Sequence, residues 1–190
     1  MDVTDNISVA LISDSPFGAD INWGSGYLTG TKGSVDSSAT TLIASYGTGD
    51  GVSVYGGVKD QQVSVSASVS MPTKLTYSID ETSDSATGFL VGAAFEKPEI
   101  AMKVALTYHA KVKHTIKTVE SINIASPSTV FSSVPGTTSF YTPSAINLDF
   151  QTGIAEDTLL FGSIRKVNWT ETDVKPTVYA YTGKSLLSYD

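Results

Sequence analysis

Two histidines, His109 and His114, are the side chains of this 190-residue sequence best suited to metal binding or acid–base chemistry. Both lie in a stretch in which apolar and polar residues alternate, and this alternation predicts a β-strand. Residues an odd number of positions apart on a strand point to opposite faces. We therefore expect that the two imidazoles cannot bind one metal ion. The absence of cysteine excludes disulfides and thiolate metal sites.

Other patterns typical of catalytic sites are weak. The sequence has no Gly-x-Ser-x-Gly motif for a nucleophilic serine. The glycine-rich segment 47–51 lacks the Lys-Ser/Thr pair of a phosphate-binding loop. Asn147 and Asp149 have the residue types of an acid–base pair, but the polar face of a strand is the more ordinary explanation. We therefore expect no enzymatic activity, no metal and no cofactor.

The stretch that contains both histidines, residues 100–117, predicts one unusually long strand. One face is apolar, apart from His114, and the other face is cationic. At ~3.3 Å per residue this strand exceeds the usual limit of about 10 residues in soluble domains. Long strands with one apolar face are typical of β-barrels that span membranes. The predicted cationic face carries Lys103, His109, Lys111, Lys113 and Lys117.

Composition narrows the class of protein further. The formal net charge is −7, which argues against a nucleic-acid partner because such partners need a basic surface. Charged residues make up 16% of the chain, below the ~25% of typical soluble domains. No run approaches the ~20 apolar residues of a transmembrane helix, and no signal peptide is recognisable at the N-terminus. We expect residues 1–190 to form a single domain.

About seven strands are predicted, and the connections between them alternate between long and short. Long polar connections are expected at 13–36, 70–86 and 118–143, and short turns at 47–51, 96–99 and 155–157. In the third strand the apolar residues change phase near Gln61, which predicts a bulge or a bend. The predicted strands cover about residues 3–12, 38–46, 52–69, 87–95, 100–117, 144–153 and 158–169.

The alternation of connection lengths favours an antiparallel up-and-down meander in an outer-membrane barrel, whose turns are short on one side and long on the other. A secreted or surface β-sandwich used for adhesion or carbohydrate binding is the alternative. A barrel that forms a pore without ligand selectivity is a third hypothesis.

The residues expected to face the lumen combine apolar bulk with a few cations. Such a surface suits an amphiphile that carries a carboxylate. The expected lumen contacts are His109, Lys111 and Lys113 near the mouth, and Phe161, Arg165 and Trp169 deeper in the wall.

Several short segments resemble the long-chain fatty acid transporter family of outer-membrane barrels (the FadL/TodX type). The resemblance covers most of the chain in the right order. Its segments are residues 15–18 (SPFG), 52–57 (VSVYGG), 106–114 (LTYHAKVKH), 142–148 (TPSAINL), 157–163 (DTLLFGS) and 167–169 (VNW).

The resemblance implies a 14-stranded barrel in the bacterial outer membrane that takes up long-chain fatty acids or other hydrophobic compounds passively. Its implied partners are the hydrophobic ligand and the lipid of the membrane. The sequence departs from the family pattern because it shows neither the N-terminal hatch nor the later strands, so we expect a partial barrel. The family's ligand-binding residues, which involve the hatch and distant strands, cannot be transferred to positions here.

Overall fold

The computed structural model describes residues 1–71, 75–125, 128–182 and 187–188. Short 3-10 turns occur at Pro98–Ile100, Trp169–Glu171 and Tyr179–Thr182, and none of the described residues forms a helix long and apolar enough to cross a membrane. The strands are β1 (Asp2–Thr4), β2 (Ile7–Asp14), β3 (Gly18–Asn22), β4 (Lys32–Gly47), β5 (Val52–Met71), β6 (Leu75–Lys97), β7 (Met102–His109), β8 (Val112–Ala125), β9 (Ser128–Thr142), β10 (Ala145–Ala155), β11 (Thr158–Val167), β12 (Asp173–Val174) and β13 (Leu187–Ser188).

Eleven of these strands form one antiparallel sheet, which confirms the predicted all-β class. Its main path runs β1-β2-β4-β5-β6-β7-β10-β11, and the β8–β9 hairpin joins it through β6. Among the described residues the sheet does not close, so β2 and β11 lie towards its two edges. Short turns connect β4 to β5, β6 to β7 and β10 to β11, as the sequence predicted.

An apolar belt covers the outer face of the sheet next to the short turns. Leu42, Val58 and Phe89 are direct neighbours on three strands and are 48%, 56% and 54% exposed. No second sheet of the described chain covers this face, so the sandwich alternative is not the observed fold. The exposed side chains of the belt are Ile7, Leu11, Leu42, Tyr46, Val52, Val54, Val58, Phe89, Val91, Phe95, Val104, Leu106, Tyr108, Ile146, Leu160 and Ile164.

Strand β5 passes through Gln61 without a bulge, so the bulge or bend predicted there is wrong, although the apolar residues do change faces. Its pairing with β6 is unbroken through this point, and the register shift lies higher, between Val65 and Ala67. Below Gln61 the apolar residues point outward, whereas Val63 and Val65 above it are buried on the inner face. The strand keeps its orientation, and the apolar residues change sides because the surroundings of the sheet change.

The predicted single strand 100–117 is also wrong, because the chain breaks at Ala110 and Lys111 into β7 and β8. Tyr108 points outward, whereas Ala110 and Val112 are buried, so the even-numbered residues change face at the break. The amide of Ala110 still donates a hydrogen bond to the carbonyl of Phe89 (3.0 Å). Strand β8 then leaves β7 to pair with β9 and with the far end of β6.

The three predicted long connections contain strands instead of loops. Residues 18–22 and 32–36 belong to β3 and β4, the segment 75–86 belongs to β6, and most of 118–143 forms the β8–β9 hairpin. Residues 15–17, 23–31 and 143 form no strand, and residues 72–74 and 126–127 lie outside the described ranges. Together, the upper parts of β4 (32–41), β5 (60–71) and β6 (75–87), with β8 and β9, form what we call the upper lobe.

The upper lobe has an apolar core of its own. One cluster contains Val63, Val65, Ile116, Phe140 and Val174, and a second contains Tyr77, Ile79, Ile122 and Val178. Both clusters include a residue from the segment 172–182, which follows β11. This segment therefore packs against strands that lie far from it in the sequence.

A buried carboxylate holds the segment 172–182 in place. Glu120 is fully buried, and its Oε2 accepts hydrogen bonds from the Tyr77 hydroxyl (3.0 Å) and from the amides of Val178 (2.9 Å) and Tyr179 (3.1 Å). The Thr118 hydroxyl donates to Oε1 (3.2 Å). Burial, and then the charge of Glu120, raise the pKa of the Tyr77 hydroxyl, so Tyr77 remains a donor. These bonds offset the cost of burying the carboxylate.

Candidate functional site

An apolar cavity of about 310 Å³ opens inside the upper lobe. It lies between β3, β4, β5 and β9, and residues 169–174 form part of its wall. Its size is at the lower end of the range for small-molecule pockets, about 300–1,000 Å³. The large side chains that line it are Phe17, Ile21, Trp23, Val35, Val63, Val65, Val69, Phe140, Trp169 and Val174.

Phe17 is fixed at the cavity by the segment between β2 and β3. The Phe17 amide donates a hydrogen bond to Ser37 Oγ (2.8 Å), and the Ser37 hydroxyl donates to the Phe17 carbonyl (2.5 Å). Ser37 is buried on the inner face of β4. These two bonds replace strand pairing at a point where the chain has none, and they hold the Phe17 ring over the inner face of the sheet.

Phe17, Trp169 and Arg165 form a cluster at the edge of the cavity. The Phe17 and Trp169 rings meet edge to face, with centroids 5.7 Å apart and an angle of 73° between the planes. The Arg165 guanidinium carbon lies 5.3 Å from the centroid of the Phe17 ring. A cation at this distance from an aromatic face is attracted to it. The cluster thus places the positive charge of Arg165 beside two aromatic rings that line the cavity.

His109, Phe161 and Arg165 share the inner face of the sheet, opposite the apolar belt. Ala145 of β10 pairs with His109, Asn147 pairs with Arg165, and Gln151 pairs with Phe161. Their belt-facing neighbours Tyr108 and Ile164 point the other way. The expected inward orientation of these three residues agrees with the observed register, and their role in ligand binding stays a prediction.

The other charged groups of the inner face lie near these residues. Lys59 is buried, and the charges that act on it most strongly are those of Asp14 and Arg165. The charges of Lys59, Arg165, Asp14 and Asp149 act on His109. The inner face below the cavity is therefore mixed in polarity, with both cations and carboxylates, instead of the mainly apolar lumen that the sequence predicted.

Lys111 and Lys113 do not join His109 on the inner face, so their expected orientation towards the lumen is wrong. The Lys111 ammonium lies 3.6 Å from Glu171 Oε1 and 4.9 Å from the centroid of the Tyr141 ring. Lys113 is exposed on the outer face of β8, where it pairs with Tyr141 of β9. The cause is the change of face at Ala110, which moves the lysines after it to the outside.

Glu171 also fixes the chain at the end of β9. Its Oε2 accepts a hydrogen bond from the Ser144 amide (2.9 Å). This bond, together with the nearby ammonium of Lys111, holds the pKa of the Glu171 carboxyl below its ordinary value. The carboxylate thus connects the turn after β11 to the start of β10.

Of the residues expected to contact a ligand, Trp169 lines the cavity and Arg165 lies beside it, while most of the cavity wall was not anticipated. Phe17, Ile21 and Trp23 fall in the segment that was expected to be a polar loop, where three large apolar residues are unusual, and Ile21 and Trp23 are still 48% exposed. Val63 and Phe140 belong to strands that meet only in the folded lobe. Within the described ranges, no group of three or more His, Asp or Glu side chains is placed to hold a metal ion.

His114 and Asp84 form a polar contact beneath the cavity wall. His114 is fully buried, its Nδ1 lies 3.2 Å from Asp84 Oδ2, and its ring stacks on that of Phe140 with centroids 5.7 Å apart. The Thr115 amide donates to the same Asp84 oxygen (3.1 Å). Desolvation lowers the pKa of His114, and the opposing effect of Asp84 is smaller. His114 is therefore neutral at pH 7.

Comparison with solved structures gives the same fold at low sequence identity. A FadL homologue from Pseudomonas aeruginosa superposes with a TM-score of 0.72 at 16% identity, over 97% of this chain and 50% of that one. The toluene transporter TbuX of Ralstonia pickettii gives 0.62 at 10% identity, over 88% and 53%. The toluene transporter TodX of Pseudomonas putida gives 0.60 at 11% identity, over 92% and 56%.

The chain thus has the fold of about half of a FadL/TodX-type outer-membrane barrel, as the sequence resemblance predicted. It spans about half the length of these structures. TbuX and TodX are both described as toluene transporters. No family model and no curated protein sequence matches the chain.

The lowered pKa of His114 predicts a pH-dependent stability. Between the ordinary His pKa of about 6.5 and the lower folded value, the unfolded chain binds more protons, so the free energy of unfolding falls as the pH falls below about 6.5. The His114→Gln variant removes this contribution. Denaturation at pH 7.5 and pH 5 should show a smaller loss of stability for the variant than for the wild type. Equal losses would contradict the assignment.

Proposed function

We propose that this chain is part of an outer-membrane β-barrel of the FadL/TodX type, which takes up hydrophobic compounds passively across the bacterial outer membrane. The observation that carries the proposal is the position of the apolar cavity directly above the inner face of a sheet whose outer face is apolar. This arrangement offers a hydrophobic compound a site outside the membrane and a route along the inside of the sheet.

The apolar belt supports a membrane location. A large apolar side chain gains roughly 1.5–3 kcal/mol when it leaves water. More than a dozen such side chains of the belt are exposed on one continuous surface, which is far larger than the apolar patches that soluble monomers tolerate. Contact with lipid removes this cost, while the strand ladders satisfy the backbone polar groups inside the membrane.

The directions of the two edge strands, β2 and β11, limit how such a barrel can close. At the level of the belt the sheet has seven strands, β2, β4, β5, β6, β7, β10 and β11. Both β2 and β11 run from the short turns towards the upper lobe. A second copy around the same axis would therefore pair β11 with β2 in parallel, unlike the antiparallel barrels of outer membranes. Closure by an odd number of further strands makes every pair antiparallel.

The proposed route runs from the cavity past Phe17, Trp169 and Arg165 to the inner face that carries His109 and Phe161. The aromatic and aliphatic walls select compounds by their apolar surface. Arg165 adds a cation that can pair with a carboxylate. We propose long-chain fatty acids as the substrates that use both features, and neutral aromatic hydrocarbons as substrates that use the apolar walls alone.

Occupying the cavity with a side chain tests its role as a binding site. Gly33 lines the cavity, and a Cβ built there meets no atom within 4 Å, so the Gly33→Phe variant fills the space without a clash of its first carbon. Gly24 has equally open surroundings outside the cavity wall, which makes Gly24→Phe the matched control. We expect Gly33→Phe to weaken laurate and toluene binding at least about tenfold, a loss of about 1.4 kcal/mol.

Titration of the detergent-solubilised chain, followed by its tryptophan fluorescence, measures both affinities. Equal affinities of the Gly33→Phe and Gly24→Phe variants would show that the cavity is not the site.

Removing the Arg165 cation distinguishes the binding of fatty acids from that of neutral aromatic hydrocarbons. A hydrogen bond to a charged partner contributes about 1.5–3 kcal/mol, so Arg165→Gln should weaken laurate binding by about tenfold or more. Toluene has no carboxylate, and its affinity should stay within about twofold of the wild type. Lys97→Gln, which removes an exposed charge at a short turn, is the control. Loss of both ligands in Arg165→Gln would mean that Arg165 supports the cavity instead of binding the carboxylate.

A further inference from the structure

Exposed lysines gather on one sector of the outer surface, where the apolar belt ends and the upper lobe begins. Lys166 of β11 pairs with Ile146, which pairs in turn with Tyr108, so it belongs to the same outer surface as two belt residues. Lys113 and Lys117 are exposed on the outer face of β8. We call Lys111, Lys113, Lys117 and Lys166 the basic rim.

The basic rim has an excess of positive charge. Glu171 pairs with Lys111, whereas Lys113, Lys117 and Lys166 form no ion pair with any other described residue. On the neighbouring strand β6, Asp84 is engaged by His114 and by the Thr115 amide, and the exposed Asp80 forms no ion pair with these lysines. Three ammonium groups are thus left to interact with solvent or with a partner.

The rest of the outer surface has the opposite character. At the same height on β4 and β5, the outward charged residues are Asp36 and Asp60, among serine and threonine. The short turns at the other end of the belt expose Asp5, Asp50 and Glu99, and further carboxylates at Asp2, Glu156 and Asp157. Carboxylates outnumber the exposed Lys97 at the short turns, so an excess of positive charge lies only at the upper edge of the belt and on one side of the sheet.

Aromatic residues accompany the lysines. The Tyr141 ring lies under the Lys111 ammonium, and Tyr108 is exposed in the adjacent part of the belt. Tyrosine rings are typical of the boundary between the apolar and polar parts of a membrane, and lysine side chains there extend their charged ends towards the headgroups. The lysine and tyrosine side chains, and their position at the upper edge of the apolar belt, therefore both correspond to the headgroup layer of a membrane.

We propose that the basic rim binds the phosphate groups of anionic lipid headgroups. This inference rests on the membrane location proposed above and adds a partner that the uptake route does not involve. Three ammonium groups without an acidic partner complement clustered phosphates, and each lysine near an anionic surface contributes about 1 kcal/mol, or about fivefold in affinity. A lipid held there would fix the height and the rotation of the chain in the membrane.

Lipid binding to charge variants tests the proposal. The chain, folded in an uncharged detergent, is titrated with dioctanoyl phosphatidylglycerol, and bound lipid is counted by native mass spectrometry. Dioctanoyl phosphatidylcholine is the zwitterionic comparison, and inorganic phosphate is the free-anion comparison. We expect Lys113→Gln/Lys166→Gln to bind phosphatidylglycerol about 25-fold more weakly than the wild type. The control Lys97→Gln/Lys175→Gln removes the same amount of charge outside the rim and should bind as the wild type does.

Equal affinity for the two lipids, equal losses in the two double variants, or displacement of the lipid by inorganic phosphate at equal concentration would each overturn the proposal. Circular dichroism and thermal unfolding verify that both variants are folded. A chain that is a soluble monomer without detergent would refute the membrane location itself, whereas a detergent-dependent chain without headgroup preference would refute the basic rim alone.

Discussion

The ladder between β5 and β6 is the constraint on which the rest of this structure depends. It runs from the pair Val52–Phe95 at the short turns to the pair Met71–Leu75 in the upper lobe, with one register shift between Val65 and Ala67. Because pairing is continuous through Gln61, the side of the sheet to which each residue points is fixed there. The exchange of apolar residues from the outer to the inner face at this height is explained by the proposed membrane location, with lipid against the lower outer face and water against the upper one.

The same change of solvent explains why the upper lobe has a core and the lower sheet lacks one. Above the belt the outer face meets water, so Val63, Ile116 and Phe140 pack inward. Glu120 then holds the segment after β11 against these strands through its four hydrogen bonds. That segment supplies Val174 to the cavity wall, and Trp169 lies just before it. The candidate binding site is thus formed in part by the packing of the segment after β11 against the strands of the upper lobe.

The sequence was sufficient for the parts of the fold that repeat a simple pattern. Period-two alternation predicted the antiparallel strands, and on β11 it oriented Phe161 and Arg165 correctly. The alternation did not reveal the change of face at Ala110. Alanine is compatible with either face, and the lysines keep their odd-numbered positions through the break. The alternation failed in the upper lobe because strands exposed to water carry many serines and threonines and resemble loops. The cavity could not be foreseen, since Phe17, Val63, Phe140 and Val174 meet through contacts between distant segments.

Site-directed labelling along β5 measures the change of solvent directly. The chain has no cysteine, so single cysteines can be introduced at the outward positions Val54, Val58, Gln62 and Ser64 and labelled with a fluorophore. In lipid bilayers, quenchers attached to the acyl chains should quench labels at Val54 and Val58, and a water-soluble quencher should reach those at Gln62 and Ser64. Uniform access of the water-soluble quencher to all four positions would contradict a lipid-facing belt.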